Sequence, residues 1–330
     1  MRKEMNRRDF LKASALTGAS ILASDLLYTR STVYGAVEIP EAERITVTII
    51  EDNYYDSLRP DSKIAKRYGG DLYAEHGLAC HIETVVDGHS HSMLFDFGRT
   101  FPAVSTNIDA LKIDFAKLEA LALSHGHQDH CGALVEILKS RRDKISKKIP
   151  LYVGEDALVE SRGSKVVHRP PKKEEIEGLG FVEVVEIKDP TPIVPGVYLT
   201  GRIEKVMDYE KLDRPESFIG EQSVVLNAKG RGLVVLSGCA HVGVVNTVKH
   251  AQQITGVRNV HAIMGGFHLI GAREERIQRT VADIKAMAPN YAVPMHCTGF
   301  EAVVAFAKEM PDQFILNTSG TRYIFSSQTV

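Results

Sequence analysis

From residue 44 onwards the chain is built from short runs in which apolar and polar positions alternate, and most of these runs stop at a glycine-containing turn. Ile45, Val47 and Ile49 alternate across residues 44–50, the period of a half-buried strand. That run opens into the polar aromatic turn Glu51-Asp52-Asn53-Tyr54-Tyr55-Asp56, and residues 57–77 read as a long polar excursion. Residues 78–86 and 92–97 predict two strands joined by the hairpin turn Asp87-Gly88. A helix and turn are expected over 107–118 and a strand over 120–123. Leu134, Ile137 and Leu138 then recur at helical spacing, and a short strand is expected at 150–153. Residues 161–180 and 202–222 are polar loops, long enough either to wall a site or to be solvated insertions.

The second half has the same style without a sequence repeat. Strands at 223–226 and 232–236 flank the turn Ala228-Lys229-Gly230-Arg231. Helices are expected at 244–254, 274–287 and 301–310, with strands at 260–264, 291–295 and 322–325. No linker separates the halves. Strand pairs followed by alternating strand and helix predict an α/β domain over 44–330, with two sheets packed together and helices outside.

Strands repeatedly end in a residue able to bind metal. The densest case is Ser124-His125-Gly126-His127-Gln128-Asp129-His130, which follows the apolar Leu121-Ala122-Leu123. In an extended turn His125 and His127 face one way and can grip one ion, while Asp129 and His130 reach a second where the chain bends into a helix. Imidazole and carboxylate donors suit Zn, Mn or Fe. A His-rich surface loop is the bland alternative, but with His at only 13 of 330 positions this pattern arises by chance in roughly one chain in a thousand. Asp96, Cys239 with His241, His268 and His296 also close strands before glycine turns. Ligands carried on strand ends at one sheet edge converge although far apart in sequence. His81, His89, His91, His168, His250 and His261 carry no motif and read as structural or exposed.

The N-terminus changes where this chemistry is expected to take place. Asn6-Arg7-Arg8-Asp9-Phe10-Leu11-Lys12 precedes a mildly apolar run from Ala13 to Ala23 that is too short and Ala/Ser-rich to span a membrane. This resembles a twin-arginine export signal, here assigned to residues 1–36, with cleavage near Tyr34-Gly35-Ala36 favoured over Ile21-Leu22-Ala23. The expected partner during export is the twin-arginine translocase, and the destination is the periplasm or cell envelope. The whole chain has a formal charge of −2. Removing residues 1–36 takes away six Lys/Arg and three Asp/Glu and leaves −5, which argues against a nucleic-acid partner. Cys80, Cys131, Cys239 and Cys297 are spread around candidate ligands and are not spaced as a disulfide framework, so no disulfide is expected.

The pattern H-x-H-x-D-H at 125–130 resembles the metallo-β-lactamase superfamily, and the resemblance runs from about Arg44 to Phe325. It implies an αβ/βα four-layer sandwich with a two-metal site at its edge. A narrower resemblance rests on an ordered set: Asp52-Asn53-Tyr54, Glu75-His76-Gly77-Leu78, Leu94-Phe95-Asp96-Phe97-Gly98, Ser237-Gly238-Cys239-Ala240-His241, Gly265-Gly266-Phe267-His268-Leu269 and His296-Cys297-Thr298-Gly299. Together with the His cluster, these are similar to the branch containing dihydropterin–ribofuranosylaminobenzene phosphate synthase and its bacterial relatives. The resemblance implies two divalent ions, Zn above Mn or Fe. It assigns His125 and His127 to the first, Asp129 and His130 to the second, and His296 as the last ligand. His241 is chosen as the first site's third ligand because Pro195-Gly196 is followed by Val197, where many members have His. Cys239 stands where an Asp is usual and is a weaker ligand or a small buried side chain. Asp96 is expected to orient a ligand imidazole, Asp129 to bind metal and orient the nucleophile, and His268 or His76 to contact substrate. The implied activity is an exported hydrolase in which a metal-bound hydroxide attacks a carbonyl or phosphoryl centre of a small substrate. A pterin-related transferase, with a phosphate pocket from Arg169, Lys172 and Lys173, and a non-catalytic metal-binding envelope protein are the alternatives. A diiron redox role fits poorly, because that branch usually has Glu where Gln128 stands and relies on a flavin partner.

Overall fold

In the computed structural model, residues 37–162, 167–210 and 220–326 are described, and the export segment at 1–36 lies outside them. The first of two large sheets has the spatial order β10 (Val182–Ile187), β7 (Ile149–Gly154), β6 (Ala120–Ala122), β5 (His89–Phe97), β4 (Ala79–Val86), β2 (Arg44–Glu51), β17 (Arg322–Ser326) and β3 (Ala65–Lys66). The second runs β11 (Thr191–Val194), β12 (Val197–Leu199), β13 (Ser223–Ala228), β14 (Gly232–Ser237), β15 (Val260–Gly266) and β16 (Tyr291–Met295), with β1 (Glu41–Ala42) parallel to β13. A separate two-stranded ribbon joins β8 (Ser161–Arg162) to β9 (Val167–His168).

The inner faces of the sheets meet in one core. Ile45, Val47, Ile49 and Phe95 of the first sheet share it with Val224, Leu226, Val234, Leu236 and Met264 of the second. Burying a side chain such as Phe95, which is 0% exposed, contributes about 1.5–3 kcal/mol before entropy is counted. Helices α1 (Phe101–Leu111) and α3 (Leu134–Ser140) cover the outside of the first sheet through Val104, Ile108, Leu134, Ile137 and Leu138. Helices α5 (Val244–Thr255), α6 (Glu274–Ala286) and α7 (Phe300–Glu309) cover the second through Val245, Val248, Ile277, Val281 and Phe306. The short α2 (Gln128–Cys131) and α4 (Lys173–Glu177) lie between these elements in the chain. Helix, sheet, sheet, helix is the expected four-layer order. Strands covered on both faces explain why β13 and β14 are buried along their whole length.

Both hairpins form at Asp87-Gly88 and around Gly230, where φ values of 50°, 75° and 67° supply the left-handed turn conformations. The helix expected from residue 107 begins instead at Phe101. Pro102 lies in its first turn, where a missing N–H costs nothing, so the proline starts the helix. Strands β10 to β12 occupy 182–199, where the sequence pattern marks no element, and the loop at 161–180 contains β8, β9 and α4. β5, β6, β7 and β10 run parallel, as do β14, β15 and β16. Their carboxyl ends therefore open on common edges, where α/β sheets present ligand-binding turns. Among the described residues, no helix is long and apolar enough to cross a membrane.

Candidate metal centre

The donor atoms gather in three groups at those strand ends. His125, His127 and His241 have ligand atoms within 4.8 Å of one another, and so do Asp129, His130, Cys239 and His296. A third group, meeting the same distance, is Cys239, His268 and Cys297. Four separated segments thus converge, and each is held by a buried acceptor or a strained turn. Asp96, Ala240, His268 and His296 all have positive φ, from 44° to 61°, in the region L-residues rarely adopt. Such strain concentrates where surrounding structure over-determines a side chain's aim.

Hydrogen bonds set the tautomers. Asp96, 0% exposed, accepts from Ser124 N and Ser124 Oγ, both at 2.7 Å, and pairs with His130 Nδ1 at 2.6 Å. Ser124 Oγ gives its only hydrogen to Asp96, so toward His125 Nδ1, at 2.8 Å, it accepts. Glu221 accepts from His241 Nδ1 at 2.7 Å and from the backbone N–H groups of His241 and Val242, both at 2.9 Å. His125, His130 and His241 therefore carry a proton on Nδ1, which turns Nε2 of each toward the cluster, as metal-binding imidazoles require. Asp52 fixes the last turn. Its Oδ1 accepts from His296 N at 2.9 Å, its Oδ2 accepts from Asn317 at 2.6 Å, and Asn53 Nδ2 donates to His296 O at 2.9 Å.

Electrostatics fit a cation. Burial, aided by neighbouring imidazoles, holds His125 well below its ordinary value and His127 down to about 2, so both rings are neutral donors. Burial pushes Asp129 up, but His130, His296 and His76 outweigh it and hold the carboxyl well below the usual range. Burial likewise disfavours a charged His130, yet Asp96 and Asp129 overcome it and push that ring up to about 9. Cys239 Sγ lies 3.1 Å from His130 Nε2, so this residue is both a buried side chain and a member of the site.

The structure brings together all six expected ligands, His125, His127, Asp129, His130, His241 and His296, with Asp96 behind them. His76 stacks on His296 with ring centres 4.7 Å apart and approaches Asp129 at 3.4 Å, its side chain 46% exposed. His268 packs against His241 at 4.2 Å. His168, read as structural or exposed, stacks on His127 at 3.6 Å and 16°. Glu221 was not anticipated, because one acid ahead of a strand has no local signature. Asp52 was visible only as part of an ordered motif. Arg169 and Lys173 pair on the surface with Glu160 and Glu177, at 3.3 and 3.9 Å. The four cysteines are free and buried.

Residues 4–24 match the TAT (twin-arginine translocation) pathway signal sequence, which marks the chain for twin-arginine export. Among solved structures, a metal-dependent hydrolase of the β-lactamase superfamily superposes with a TM-score of 0.66 at 22% identity, covering 84% of this chain and 98% of that one. A metallo-β-lactamase fold protein from Bacillus subtilis gives 0.52 at 14%, covering 84% and 99%. At these identities the likeness carries the fold. The 7,8-dihydropterin-6-methyl-4-(β-D-ribofuranosyl)-aminobenzene-5'-phosphate synthase of Methanocaldococcus jannaschii is 32% identical over 270 residues, 75% of this chain and 89% of the relative. The chain therefore belongs to the family of that archaeal synthase and has the metallo-β-lactamase fold.

Proposed function

We propose that the mature protein, whose single domain spans residues 44–330, is a periplasmic or envelope metal-dependent hydrolase acting on a small carbonyl or phosphoryl substrate. The observation that carries this reading is the convergence of two adjoining, largely buried donor groups, one of three imidazoles and one mixed. His125, His127 and His241 would hold one divalent cation, and Asp129, His130 and His296, with Cys239 beside them, a second; Zn suits this set best. Such ions supply Lewis-acid polarisation of a substrate oxygen and a water acidified toward neutrality.

The chain's own residues do the rest. Asp96, Glu221 and Asp52 pre-organise the donors, so that little reorganisation accompanies reaction. Asp129, between His76 and His296, orients the attacking oxygen. The partly exposed His76 is better placed than the buried Nδ1 of His268 to pass a proton to a leaving group.

The archaeal relative's name supports a second reading, transfer of a pterin-like group to a phosphorylated acceptor. The export signal and the carboxylate-paired Arg169 and Lys173 weigh against it. Metal analysis coupled to turnover of lactones, esters and phosphodiesters tests the choice, with pterin binding followed by calorimetry. His127→Ala should lose at least a hundredfold in activity. Unchanged turnover in that variant would remove the proposed site, and pterin binding without hydrolysis would favour the transferase.

A further inference from the structure

Cys297 and His268 belong to neither donor group invoked above, yet both lie beside Cys239. The ligand atoms of Cys239, His268 and Cys297 lie within 4.8 Å of one another. The two cysteines are 2% and 3% exposed. If thiols filled this space only as small apolar side chains, they would need no histidine beside them and no special backbone around them. Three independent features point to more. His268 is held at φ 44°, a strained value for a histidine, and its buried Nδ1 has no hydrogen-bond partner. Gly266 clears the ground, because a Cβ there would stand 2.7 Å from Cys297 Sγ and 2.4 Å from Gly238 O. The turn is also braced, with Ser237 Oγ donating to Gly266 O at 2.8 Å and Phe267 N donating to Thr298 Oγ1 at 3.1 Å.

We infer that Cys239, His268 and Cys297 form a third, sulfur-rich metal position beside the two nitrogen- and oxygen-rich ones. Two thiolates and one imidazole select a thiophilic divalent cation such as Zn or Cd over Mg, Ca or Mn. Cys239 is common to this group and to that of Asp129, His130 and His296, so its sulfur would bridge two adjacent ions. The hydrolase reading enters only through that shared residue. The position would make the centre's occupancy sensitive to soft metals, a property the His-rich group alone does not confer.

The test loads the mature protein, purified metal-free under reducing conditions, with Cd(II) alone. Sulfur-to-cadmium absorption in the ultraviolet should correspond to two thiolates. It should halve in Cys297→Ser, with one equivalent of bound metal lost there and in His268→Ala. Cadmium NMR of the unmutated protein gives a second readout that does not depend on a variant folding, with a resonance expected in the sulfur-rich range. Absorption and stoichiometry unchanged in a folded Cys297→Ser, or only nitrogen- and oxygen-range resonances, would overturn the inference. So would recovery of Cys239 and Cys297 as a disulfide from the cadmium-loaded protein. Failure of the hydrolase reading would appear separately, as absent turnover with the cadmium signals intact.

Discussion

Asp96→Asn probes the centre through a side chain that is not itself a proposed ligand. Asp96 is fully buried and satisfies three groups, Ser124 N, Ser124 Oγ and His130 Nδ1. Asparagine keeps the shape, and its one oxygen can still accept from Ser124 N. Its amide replaces the acceptor that faces Ser124 Oγ and His130 with a donor. His130 must then present a lone pair on Nδ1 and carry its proton on Nε2, the atom now turned toward Cys239 and His296. The Ser124 hydroxyl, no longer donating to Asp96, turns its hydrogen toward His125 Nδ1 and pushes that ring to the same wrong tautomer. Losing a buried charge-assisted hydrogen bond costs about 1.5–3 kcal/mol, in line with the roughly 10–100-fold losses in metal affinity found when such supports are changed. Competition against a chromophoric zinc chelator measures the effect directly. Zinc affinity within twofold of the unmutated protein, with an unchanged circular dichroism spectrum, would refute the tautomer argument.

Two further outcomes follow from other buried carboxylates. Glu51 is 0% exposed and sits under Gly77 and Gly98; burial raises its carboxyl to about 8, against an opposing hydrogen bond from Arg99 N. The folded protein then binds a proton that the unfolded chain has released, so stability is full below about pH 4.5 and is lost as pH rises toward 8. Glu51→Gln removes that loss, and urea denaturation should find the variant more stable by about 2–3 kcal/mol at pH 7; parallel profiles from pH 4.5 to 8 would contradict it. Glu221→Gln leaves one oxygen for His241 N and Nδ1, sets an amide N–H against Val242 N and removes the charge behind the ring; it should lower affinity at the first site about tenfold or more while leaving the second site's stoichiometry intact, and equal losses at both would show that the groups are not separable.

Local pattern carried most of the strands and helices, because their periods depend only on neighbours in sequence: β16 at Tyr291–Met295 and the helix from Glu274 are where alternation and helical spacing put them. It also carried the six expected ligands, since a dense His cluster and strand-ending histidines are visible one at a time. It missed the strands at 182–199, whose pairing depends on β7 and β13, far away in the chain.

What only the tertiary structure decided is which side chains stand behind the ligands. Asp52 reaches His296 because the two sheets pack together, Glu221 reaches His241 because β13 pairs with β14, and His168 covers His127 from a segment beyond the neighbouring strand β7; nothing local to any of those residues encodes the contact. The same holds for the pairing of Cys239 with Cys297. A donor's identity is a property of one residue, but its tautomer, charge and aim are set by the partners that folding places beside it.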